Sequence, residues 1–197
     1  MTASSLPLHS LEQIFLKART HIVWKNQSID DHLLQKIYDL AKMGPTSANC
    51  SPMRIIFIKS KEAKERLKPC LSPGNVEKTM TAPATAIIAQ DMYFYDQLPK
   101  LFPHEDARSW FIGNEQLIND TAFRNSSLQG AYFIIAARAM GLDCGPMSGF
   151  DTQKLNQEFF PDGHWKANFL CNLGHGDEQK LYPRSPRLKF EEACKIL

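Results

Sequence analysis

Across residues 30–43 the apolar side chains Leu33, Leu34, Ile37, Leu40 and Ala41 recur at helical spacing. Asp30 or Asp31 is placed to cap the start, and Gly44-Pro45 ends the run. Past a short polar stretch, "MRIIFIKS" (53–60) crowds β-branched residues into a length that suits a buried strand, and 61–71 returns to a polar helical pattern. "APATAIIAQD" (82–91) and "ANFLCNLGHG" (167–176) read as two more strands, and their unbroken apolarity predicts burial on both faces. Between them, 120–140 carries the longest helical pattern. Its second half, "LQGAYFIIAARAM", is apolar nearly all round, which places it at the centre of a domain or at a subunit interface.

Two segments interrupt this alternation. "GPTSANCSP" (44–52) joins a helix to a strand with small polar residues where a tighter turn would serve. "GLDCGPMSGF" (141–150) breaks the long helix with three glycines and a proline, a composition suited to close backbone approach, and reads as a loop. No repeat, low-complexity tract or linker divides the 197 residues, so one module is expected over the whole chain.

Composition narrows the partners. The net charge is only +2, and the basic residues are spread without a Lys/Arg block, which argues against nucleic acid and against an anionic membrane and leaves a small molecule as the partner. The five cysteines are widely spaced, with no CxxC pair and no Cys/His cluster at zinc spacing. Neither a disulfide framework nor a metal site is indicated, and reduced thiols in the cytoplasm are the simple reading. No leader pattern and no stretch of about 20 apolar residues points to secretion or membrane insertion.

The common nucleotide and hydrolase signatures are absent: there is no GxGxxG after a strand, no GxxxxGK followed by Ser or Thr, no HExxH and no GxSxG. What remains is a set of short anion- or amide-binding segments: "ARTH" (18–21), "PTSAN" (45–49), "GPMSG" (145–149) and "PRSPR" (183–187). A ligand with a phosphate and many hydrogen-bonding atoms would engage all four. Arg19 with Thr20 and Arg187 offers forked, permanently charged donors that suit one phosphate from two ends of the chain. Taken alone, each arginine reads first as a solvated surface residue, and Thr46, Ser47 and Asn49 as groups that bond their own turn.

Taken in order, these strings resemble the nitroreductase family of FMN flavoproteins. The strings "RTHIVW", "GPTSANCSPMRIIFI", "LFPHEDARSWF", "TAFRNSSLQGAYFIIAARAMGLDCGPMSGFD" and "RLKFEEA" are similar to the branch assigned as malonic semialdehyde reductases of pyrimidine degradation. The resemblance implies an α+β fold, with a central mixed, mostly antiparallel sheet flanked by helices, and two intertwined subunits with FMN at their interface. It implies that 128–140 lies in the dimer core. It also implies that Arg19 and Arg187 hold the FMN phosphate with Thr20 and His21 beside Arg19, Arg184 or Lys189 being open as a further contact. Thr46, Ser47 and Asn49 would line the flavin from the partner subunit, and Pro146, Met147, Ser148 and Gly149 would pass along the ring edge. Two departures, Ser148 in place of an acidic residue and Ser51-Pro52-Met53 in place of Gln-Pro-Trp, bear on nitroaromatic specificity.

In such enzymes NADPH or NADH and the oxidant use one place in turn, the flavin carries the chemistry, and no side chain acts as nucleophile. A carboxylate-bearing aldehyde needs a cation, for which Arg108 or His104 is the candidate, with Arg124 and Asn125 behind them. The competing reading pairs Arg108 with Asp106 or another carboxylate and packs Trp110 in the core. The functional alternatives are a broad nitro or quinone reductase, a flavin-binding protein without turnover, and a scaffold without flavin.

Overall fold

Strands β1 (Met53–Ile58), β2 (Ala84–Asp91), β3 (Asp143–Met147) and β4 (Trp165–Gly174) form one sheet in the order β1-β2-β4-β3, with every neighbouring pair antiparallel. The computed structural model describes residues 4–197. The parallel component of the expected mixed sheet is a single bridge, Thr20 beside Cys144. All eight residues of β2 are buried, because it is an inner strand with packing on both faces. Ala84, Ala86 and Ile88 face one side, and Ile87 and Ala89 face the other.

In chain order the helices are α1 (Leu8–Leu11), α2 (Asp31–Ala41), α3 (Lys61–Leu67), α4 (Pro73–Met80), α5 (Leu98–Leu101), α6 (Glu115–Ala139), α7 (Thr152–Phe159) and α8 (Phe190–Ala193). Helices α2 and α6 cover one face of the sheet through Leu34, Ile37, Phe133 and Ala137. Leu67 of α3 and Leu155 of α7 cover the other. A third cluster lies under the chain that follows β2 and joins Cys50, Phe94, Phe111 and Ala122. Of the two candidate caps for α2, Asp30 is the one used, its carboxylate accepting from His32 N–H at 2.8 Å.

One sequence expectation needs correction. The segment 141–150 is not simply a loop, since 143–147 pairs with β4 as an edge strand. Pro146 is tolerated there because an edge strand does not need every N–H. Of the two places open to the long helix, the centre of the chain's own fold accounts for one face only. It buries the polar Thr121, Asn125, Ser126 and Gln129 against the fold while leaving Phe123, Leu128 and Tyr132 exposed. Trp110, expected as possible core, is 47% exposed. Among the described residues no helix is long and apolar enough to cross a membrane.

Candidate functional site

The outer edge of β3 is where the first segment docks. His21 N–H donates to the Cys144 carbonyl at 3.0 Å, which lays Arg19 and Thr20 along the strand. Gly145 permits that approach, since a Cβ there would lie 2.6 Å from the His21 carbonyl oxygen. Arg19 donates to the Tyr182 carbonyl, and Arg184 to those of Leu16 (2.9 Å) and Ala18 (3.0 Å). The two ends of the chain are thereby strapped together.

A cavity of about 620 Å³ opens at this junction, lined by Arg19, Thr20, Arg138, Arg184, Ser185 and Arg187 among others. Arg187 spends one nitrogen on the Ser185 and Pro186 carbonyls, at 2.9 and 3.1 Å. Among the described residues none of these four arginines pairs with a carboxylate. Several guanidinium groups around one opening with no internal counterion can receive an anion, since forked donors are left for its oxygens. Lys189 stays outside it, at the start of α8.

His21 is not in the lining of this cavity, although it lies beside Arg19 in the lining of an adjoining one. Successive side chains of an extended segment point to opposite sides, so Thr20 faces the opening while His21 is buried. Its Nε2 is 3.3 Å from Asp143, its Nδ1 packs against Gly176 without an acceptor, and it lines an adjoining cavity of about 740 Å³.

The Pro146 to Gly149 stretch continues along the same edge. Met147 lies three residues beyond Cys144, which at about 3.3 Å per strand residue is roughly 10 Å from the arginine end. The Met147 sulfur turns inward to accept from Thr79 Oγ1 at 3.6 Å. Asn75 Nδ2 donates to the Gly149 carbonyl at 2.6 Å, and Ser72 N–H does so at 3.1 Å. Ser148 stands exposed between them.

The polar loop 44–52 is held under backbone strain. Ala48, Asn49 and Ser51 have φ of 47, 49 and 40°, in the left-handed region that side chains other than glycine rarely occupy. Ser47 N–H donates to Asn125 Oδ1 and Met53 N–H to Gln129 Oε1, both at 2.9 Å. These two amides are one turn apart on α6, so the helix grips both ends of the loop. Within it, Ser51 N–H donates to Thr46 Oγ1 (3.1 Å) and Asn49 Nδ2 to the Leu101 carbonyl (2.8 Å). Asn49 Oδ1 and the Ser47 hydroxyl are left with no protein partner among the described residues. Burial pushes the Cys50 thiol up to about 11, which leaves it protonated and unreactive at neutral pH.

This loop enters β1, the edge of the sheet opposite β3. Three strand spacings put it roughly 14 Å away across the sheet. One chain therefore builds an arginine cavity with a glycine-bearing edge and, separately, a strained polar loop. It does not bring them together. The segment 102–111 travels with the loop, since Ala107 and Phe111 share a cluster with Cys50. Arg108 Nε donates to Asp96 at 2.8 Å, while His104 is exposed beside Phe102. Arg124 is exposed, and Asn125 is the loop anchor just described.

Sequence reasoning missed Arg138 altogether and gave Gln129 no role. A polar amide one turn from another inside an apolar helical run was the available signal for Gln129, and a lone arginine near the helix end gave little for Arg138.

Comparison with known proteins bears on the family and the fold. The model of the nitroreductase family matches residues 18–175. A relative from Polynucleobacter asymbioticus, provisionally named NADH dehydrogenase/NAD(P)H nitroreductase, is 64% identical over 195 residues, covering 99% of this chain and 100% of its own. A crystal structure of a provisionally named nitroreductase from Bacillus subtilis superposes with a TM-score of 0.86 at 19% identity, over 97% of this chain and 100% of that one. One from Exiguobacterium sibiricum, in complex with FMN, gives 0.84 at 22% identity, with both chains covered in full.

Proposed function

Because this chain belongs to the nitroreductase family, we propose that it is an FMN-dependent NAD(P)H oxidoreductase working as a homodimer, with one FMN site at each of two subunit junctions. The observation that carries the reading is the arginine cavity beside the β3 edge, where Arg19, Thr20 and Arg187 meet from opposite ends of the chain with no carboxylate between them. In support, a protein of the same fold was crystallised with FMN, and a relative carries an NAD(P)H nitroreductase name.

The residues fit the group. Arg19, Thr20 and Arg187 hold the phosphate, while the buried His21 with Asp143 keeps the Arg19-Thr20 strand in place from beneath. Pro146, Met147, Ser148 and Gly149 follow the ring edge, which needs close backbone and little bulk. Thr46, Ser47 and Asn49 come from the second copy, which resolves their separation from the cavity within one chain. The exposed Phe123, Leu128 and Tyr132 on α6, with Tyr182 and Leu188 on the tail, supply apolar surface for that second copy to cover. FMN supplies two-electron transfer between the nicotinamide donor and the acceptor. The chain contributes binding, orientation and exclusion of water, and no nucleophile is needed. The whole chain serves as one FMN-binding unit, and its five unpaired cysteines suit a reducing cytoplasm.

The finer assignment is reduction of malonic semialdehyde to 3-hydroxypropanoate in pyrimidine breakdown, with hydride added to the carbonyl carbon and a proton to its oxygen. It rests on the long strings quoted from the sequence. His104 or Arg108 of the second copy would meet the substrate carboxylate. A broad nitro or quinone reductase is the second reading, favoured by the engagement of Arg108 with Asp96, which leaves that segment without a free guanidinium. A flavin-binding protein without turnover is the third. Turnover of malonic semialdehyde, a quinone and a nitroaromatic at equal FMN loading separates them. The aldehyde must lead by well over tenfold for the finer assignment to stand, and a faster quinone or nitro substrate selects the second reading.

A further inference from the structure

We infer that Arg138 is a third guanidinium for the FMN phosphate, an inference that rests on the FMN reading above. It sits in the last turn of α6 with its side chain in the wall of the cavity shared by Arg19, Thr20, Arg184 and Arg187. Its internal contacts leave most of its donors unused. Nη1 reaches the Ile14 carbonyl at a long 3.3 Å, Nε is buried without an acceptor, and no carboxylate pairs with it among the described residues.

The other arginines of the cavity are placed differently. Arg184 is committed to the Leu16 and Ala18 carbonyls and acts as a strap, while Arg19 and Arg187 stand on segments outside regular helix or strand. Arg138 alone among the four is carried by a long helix. Its backbone carbonyl is held in turn by Gln13 Nε2 at 2.8 Å. A charge on a rigid element is set in place before the ligand arrives, and the partial negative charge of the helix C-terminus offsets the cost of gathering cations there. A terminal phosphate of charge between about −1.5 and −2 presents enough oxygens for three forked donors.

The test compares two flavins that differ by the phosphate alone. Full-length wild type, Arg138→Ala and Arg138→Gln are titrated with FMN and with riboflavin, followed by flavin fluorescence, with circular dichroism to check the fold. Gln keeps a donor for the Ile14 carbonyl while removing the charge. Both variants are expected to lose roughly 10- to 100-fold in FMN affinity, to keep riboflavin affinity within about twofold, and to need less competing inorganic phosphate to release FMN. Unchanged FMN affinity overturns the inference. So does an equal loss for both flavins, which would make Arg138 a structural tie to Ile14. A wild type that binds neither flavin removes the FMN reading itself, and this inference with it, whatever the variants do.

Discussion

Ser47 N–H points at Asn125 Oδ1, 2.9 Å away, and so fixes the entrance of a strained loop to the middle of a 25-residue helix. The same amide donates through Nδ2 to the Thr121 carbonyl, so both of its ends are committed and it cannot rotate freely. Gln129, one turn further on, holds the loop exit at Met53. Three residues in left-handed backbone persist here because the helix over-determines them.

Asn125→Ala is therefore expected to destabilise the fold by about 2 kcal/mol, through lost hydrogen bonds and the part-buried Ser47 N–H left without a partner. It should also speed proteolytic cleavage in 46–51. Thermal melts and limited proteolysis measure both effects. A variant with the wild-type melting point and cleavage pattern would contradict the role given to Asn125.

The site proposed across two copies makes a complementation prediction. Arg19→Ala with Arg187→Ala should weaken FMN by roughly 3 kcal/mol or more through lost charge-assisted bonds, and Ser47→Trp should block the site with a bulky side chain from the opposite copy. Neither parent is expected to retain FMN, whereas a mixed dimer of the two keeps one intact site and should carry one FMN. Mixed dimers as empty as the parents would rule out a site shared in this way.

Four of the five cysteines are buried, and Cys194 is exposed. Burial raises the thiols of Cys50, Cys70 and Cys171, and for Cys171 the neighbouring Cys144 thiol is the leading cause. No more than one thiol should react with a disulfide reagent in the native protein near pH 8, and all five should react in denaturant. Two or more fast native thiols would contradict the burial of Cys50, Cys70, Cys144 and Cys171.

Lys64 of α3 is buried, and its amine donates to the carbonyls of Thr79 (2.8 Å), Met80 (3.4 Å) and Ala82 at the end of α4. Burial pushes it down to about 8. Below that pH folded and unfolded chains both hold the proton, and the fold carries the cost of a buried charge. Between about 8 and the ordinary lysine value near 10.4 the unfolded chain binds the extra proton, so stability rises with pH across that window. Urea midpoints at about pH 7.5 and pH 9.5 should show wild type gaining relative to Lys64→Met. Parallel changes in the two proteins would contradict the buried-amine account.

What the sequence carried and what it did not follow from local chemistry. β2 was legible because burial on both faces leaves an unbroken apolar run, and α2 because its apolar stripe is bounded by Asp30 and Gly44-Pro45. β3 was not legible, because a five-residue edge strand can hold Gly145 and Pro146, which in sequence read as turn residues. Arg19, Thr20 and Arg187 could be grouped from their chemistry only as one alternative, and more firmly through the resemblance, since nearly the whole chain separates them. The structure joins them through Tyr182 and the β3 edge. Strand alternation buries His21 on the far side from Thr20, and Arg138 entered through tertiary packing alone.

The most direct test of the central claim is an anaerobic near-ultraviolet and visible absorbance spectrum of the purified full-length protein, taken with FMN and then after addition of NADPH or NADH. The account predicts flavin bands that stay with the protein through gel filtration and bleach on addition of the reduced nicotinamide. Protein that elutes without flavin after incubation with FMN, or flavin bands that neither nucleotide bleaches, would contradict it.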